Sequence, residues 1–267
     1  MNGLNPRMPA VAVLAGVVVA AALLITSSLR YPAILGLPGA GVVLAVTVVT
    51  LLGYAACGAW ALRHPSAGQR TGLAWGALGA AMWSAEIWAG GPAKLSHPAE
   101  QVTGLTFLLL AVAATVAAGI LAAARVRTAR AAWQAGLFGG LVSGIAVYAF
   151  GVIMTLSTLP ILASRTDYQA QFAHSHAPDI ATYLVGDILA AVSAHLIINL
   201  FLGLIGGGLG YFLGAMLAQK SPALGGVWTL RNPAGTLTWS SDRLAGVGLS
   251  QPKSVCSAWL SASRTGR

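Results

Sequence analysis

Six runs of apolar sequence, each long enough to cross a lipid bilayer as a helix, dominate this chain. They cover residues 8–28, 40–62, 71–90, 103–123, 134–162 and 183–217. A hydrocarbon core about 30 Å thick takes about 20 helical residues at about 1.5 Å each. Lipid offers the backbone no hydrogen bonds, so a crossing segment must pair its own N–H and C=O groups as a helix or in a closed barrel. The runs are continuously apolar rather than alternating, which excludes the barrel. The expected fold is therefore all-α: a bundle of six transmembrane helices in one domain, 1–217, followed by a basic tail, 218–267, with little regular structure.

Charge agrees with that solvent. Only 8% of the residues are charged, against roughly 25% in an ordinary soluble domain, too few to cover a water-facing surface. The net charge of +9 forms no nucleic-acid-binding motif; it sits in the connections between runs, where it sets orientation. With the N-terminus inside, twelve Lys and Arg fall on the inner side and Arg30, Lys94 and Arg165 on the outer, so N-in, C-in is expected. The first run is too long for a signal-peptide core and reads as an uncleaved span. Cys57 lies inside a run and Cys256 in the tail, which is no disulfide framework. The preference for Arg over Lys, with much Ala, Gly and Val, points to a bacterial source and hence to the cell's inner membrane.

Ionisable groups within spans are costly, which makes them the first candidates for function. Here they are Glu86 in the third span and Asp187 and His195 in the sixth, with Asn199 as a neutral companion. His195 and Asn199 are four residues apart and share a helix face. Counted from the span ends, Glu86 and His195 lie at similar depth near the outer rim, and Asp187 lies further out. They make one possible outward-facing polar or ion site. The outer connection 164–182 is read as a polar loop. It holds His174, His176 and Asp179, ligand types that zinc or copper accept, although a single H-x-H is a weak motif. Pro178 and Asp179 mark a helix start, which would lengthen the sixth helix to about 40 residues. No H-E-x-x-H, G-x-S-x-G, P-loop or dinucleotide turn is present, and no cofactor is expected.

Glycine is the other signal. Gly136, Gly140 and Gly144 recur every fourth residue in the fifth span, and Gly206, Gly210 and Gly214 do so in the sixth. Such ladders let helix backbones approach closely, the main source of helix association in lipid. They predict a tight bundle centred on these two helices, or contact with a membrane partner or a second copy of the chain. The leading expectation is a non-enzymatic scaffold or accessory subunit. A small proton- or cation-coupled carrier is the alternative, and an intramembrane enzyme trails both.

Overall fold

A computed structural model describes residues 5–93, 97–126, 128–220, 228–232 and 235–239. Residues 1–220 and 221–267 are separate units. The first is all-helical: α1 (Met8–Arg30), a 3-10 turn (Pro32–Gly36), α2 (Ala40–Arg63), α3 (Ala67–Gly90), α4 (His97–Val126), α5 (Ala129–Ala163), α6 (Thr166–Ala173) and α7 (Ile180–Lys220).

Five of these helices, α1, α2, α4, α5 and α7, are long and apolar enough to cross a membrane. The expected count was six. The difference is α3, which at 24 residues has the length but spends it on five glycines, Gln69, Arg70, Ser84 and Glu86. Its glycines serve packing rather than lipid contact.

Two further expectations change. The outer connection is not simply a loop, since α6 occupies eight residues of it. The tail contains an antiparallel hairpin, β1 (Trp228–Asn232) and β2 (Gly235–Trp239), with Trp228 opposite Trp239. The remainder of the tail beyond residue 220 lies outside the described residues.

α5 is the axis of the first unit. It packs against α1, α3, α4 and α7, and two-thirds of its most apolar stretch is buried. Small residues set the geometry. A Cβ on Gly72 would lie 2.5 Å from the Ala135 carbonyl oxygen, and one on Gly76 would lie 2.6 Å from that of Gly139. With Gly68 against Ala131, these pairs keep one offset along the chain, so α3 and α5 run parallel. Gly136 meets Gly203 and Gly207, Gly140 meets Asn199, and Gly151 meets Val192, an antiparallel seam between α5 and α7. The ladder Gly206, Gly210 and Gly214 faces α4 instead, at Thr115, Gly119 and Ala123. Beyond the glycines, Tyr54, Phe138, Leu141, Tyr148 and Leu196 fill the main apolar core.

Candidate functional site

The connection between α1 and α2 shapes one end of the bundle. After the 3-10 turn the chain is extended at Leu37, then turns at Gly39, whose φ of 79° lies in the left-handed region that favours glycine. This brings Leu37 onto α7 at Gly186, where a Cβ would lie 2.7 Å from a Leu37 methyl. Asp187 is the next residue.

Beside this contact lies a cavity of about 300 Å³, lined by Ile34, Leu37 and Leu44 on one side and Ser175, His176, Tyr183 and Asp187 on the other. Among the described residues, the Asp187 carboxylate accepts no hydrogen bond and forms no salt bridge. Tyr183 is fixed by donating its hydroxyl to Gln171 of α6 at 2.8 Å. The volume is at the small end of ligand pockets, and one carboxylate with aromatic neighbours suits a small organic cation.

The other in-span candidates sit elsewhere. His195 packs edge-on against Trp83 of α3, with ring centroids 4.7 Å apart, and its Nδ1 lies 2.9 Å from the Ala191 carbonyl. Glu86, one turn beyond Trp83, leans toward α4: its Oε1 would be 3.8 Å from a Cβ on Gly104. No hydrogen bond or ion pair joins Glu86 to His195 among the described residues. α3 therefore meets α7 here through an indole–imidazole contact. Asn199 is 3% exposed and donates from Nδ2 to the His195 carbonyl at 2.9 Å, so its amide is spent within its own helix. Asp187 lies two turns or more from both.

The loop histidines divide as well. His176 borders the cavity, whereas His174 does not. Asp179 caps α7, its two oxygens accepting from the Thr182 amide and hydroxyl, each at 2.8 Å. The amide bond, and then the hydroxyl, hold the Asp179 carboxyl below the usual carboxylate range. Pro178 precedes the cap rather than opening the helix. Among the described residues no three His, Cys, Asp or Glu side chains gather as metal ligands.

Arg165 is a structural residue that charge counting hid. It is 9% exposed and donates to the Gly90 carbonyl at 3.1 Å and to that of Gly91. A cation thus closes the C-terminal end of α3, where the helix dipole is negative. Asp167 balances it with an ion pair at 2.5 Å, and that hydrogen bond holds the Asp167 carboxyl below its ordinary value. The only sequence sign was an arginine followed two residues later by an acid.

Two hydrogen bonds tie α2 to α7 below the cavity. Thr47 Oγ1 and Ser193 Oγ are 2.6 Å apart, and the Tyr54 hydroxyl donates to the Leu196 carbonyl at 2.7 Å.

No protein-family model matches the chain, and neither does any curated protein or solved structure.

Proposed function

We propose that this chain is a non-enzymatic, multi-pass membrane protein that binds a small organic cation in the cavity beside Asp187. The helical bundle, with several apolar helices, is compatible with membrane residence. The observation that carries the binding reading is an apolar cavity of about 300 Å³ with a carboxylate at its edge that no described residue neutralises. Burying a cation there gains Coulomb attraction to Asp187, contact with the Tyr183 ring, and the desolvation of apolar walls. A carrier would use this cavity as its outer binding station.

The scaffold reading drew its support from glycine faces. Those faces serve contacts within the chain: Gly136 and Gly140 against α7, and Gly206, Gly210 and Gly214 against α4. A docking role would need another surface.

The test uses the full chain in maltoside micelles with benzyltrimethylammonium as the probe, read by tryptophan fluorescence and calorimetry. Saturable binding that falls about tenfold or more in Asp187→Asn, and is unchanged in Arg63→Gln, is the expected result. Equal binding by Asp187→Asn would refute the site. Uptake of the same cation into proteoliposomes separates a carrier from a binding protein.

A further inference from the structure

At the opposite end of the bundle a second cleft opens where α3 and α5 begin. Both helices run the same way, and Gly68 lets the start of α3 press against the Ala131 carbonyl of α5. Two helix N-termini therefore stand side by side. Each carries about half a positive elementary charge, and parallel neighbours repel at this short range.

Their caps leave donors open. Ser66 Oγ accepts from the Gln69 amide at 3.2 Å, and Gln69 Oε1 accepts from the Ser66 amide at 3.1 Å. Thr128 Oγ1 accepts from the Ala131 amide at 3.3 Å. The amides of Ala67 and Gly68 in α3, and of Ala129 and Arg130 in α5, have no acceptor among the described residues. First-turn amides of this kind are ready anion donors.

The cleft, about 390 Å³, is lined by His64, Ser66, Gly68, Thr128, Arg130 and Gln134. Gln134 is the decisive residue. It is 7% exposed, it borders the cleft, and its side-chain amide has no hydrogen-bond partner among the described residues. A buried carboxamide without a partner is a standing cost of about 1–3 kcal/mol that a bound ligand would relieve. Arg130 is exposed beside it, and no described acid pairs with it. The acids of the first unit, Glu86, Glu100, Asp167, Asp179 and Asp187, all lie toward the other end by their places on the helices. Nothing at this end offsets two positive helix ends and a guanidinium.

We propose that this cleft binds a phosphate-class anion, held by Arg130, the Gln134 amide and the open N–H groups of α3 and α5. The chemistry is the same for the headgroup of an anionic lipid and for a free phosphate, and two arms of one experiment separate them. In the first, inorganic phosphate is titrated into the full chain in maltoside micelles and followed by calorimetry. In the second, the chain sits in phosphatidylcholine nanodiscs with and without phosphatidylglycerol, and retained phosphatidylglycerol is counted by native mass spectrometry.

Saturable one-site binding in either arm is expected, and the arm that responds names the source. Arg130→Gln and Gln134→Leu should each weaken it about tenfold, and Gln134→Glu should abolish it by placing a like charge in the cleft. Arg30→Gln, at the far end, should leave it unchanged. Arg130 is exposed, so its variant keeps the fold even if a change at Gln134 disturbs it, and circular dichroism checks each protein. No saturable binding in both arms overturns the proposal. So does binding that folded Arg130→Gln retains in full.

Discussion

Replacing Gly210 with alanine tests whether the bundle is held by backbone contact. An added Cβ would lie 2.6 Å from the Gly119 Cα, the Gly119 carbonyl carbon and the Ile120 nitrogen. All three are backbone atoms, so no side chain can swing aside. Ordinary contact begins near 3.4 Å, so α4 and α7 must separate by about 0.8 Å. A gap of 0.5–1 Å forfeits roughly a quarter to a half of each dispersion well it opens. The opened seam includes Thr115 and Ala123, the neighbours of Gly206 and Gly214. Overpacking of this kind costs about 1–3 kcal/mol, while alanine in place of a helical glycine returns up to about 1 kcal/mol. The net is a destabilisation of about 1–2 kcal/mol, or roughly 5- to 30-fold in the folding equilibrium. Gly53→Ala is the control, because nothing lies within 4 Å of its added Cβ. Unfolding in mixed maltoside–dodecyl sulfate micelles, followed by circular dichroism, should shift to lower detergent fraction for Gly210→Ala alone. Equal stability of the two variants would refute the reasoning.

Arg165→Ala should leave the carbonyls at the end of α3 unpaired, a loss of about 1–3 kcal/mol seen as faster amide exchange near residues 87–91. Arg165→Lys should restore only part, since a single ammonium cannot reproduce the fork. Asp179→Ala should cost about 1 kcal/mol through loss of the α7 cap. Because the folded carboxyl titrates below its ordinary value, the cap's electrostatic contribution is full above about pH 4 and fades as pH falls through the folded value; the variant should lack this acid-side loss. Tyr54→Phe should destabilise by about 0.6–1 kcal/mol, the size of one interhelical hydrogen bond in a membrane protein, in the same mixed-micelle titration.

The long helices were legible because lipid-length apolar runs leave few alternatives. What the pattern could not tell was partnership. Four-residue spacing says that Gly206, Gly210 and Gly214 form a small face, but not that α4 fills it. The α5 ladder meets Gly203 and Gly207 instead. α3 reads as a span by length, yet its glycines serve α5 rather than lipid. The hairpin escaped because five-residue strands around a two-residue turn, Pro233–Ala234, are too short to show a period. Asp187 drew notice as charge near a span, but its cavity is finished by the turn at 32–36, about 150 residues away in sequence. Gln134 looked like the polar first residue of a span, because neither its burial nor its lack of a partner is written in local sequence.

The position of α5 has a consequence for biosynthesis. As the chain emerges, α1 meets α2 and α3 meets α4, while the two pairs scarcely touch each other. The helix that joins them is α5, and α7 then closes on it. Until residue 129 has entered the bilayer, the first half of the protein is two separate hairpins with glycine grooves open to lipid or to a chaperone. Assembly is therefore late and all at once, and a chain stopped after α4 would lack the surface around which its own first half gathers.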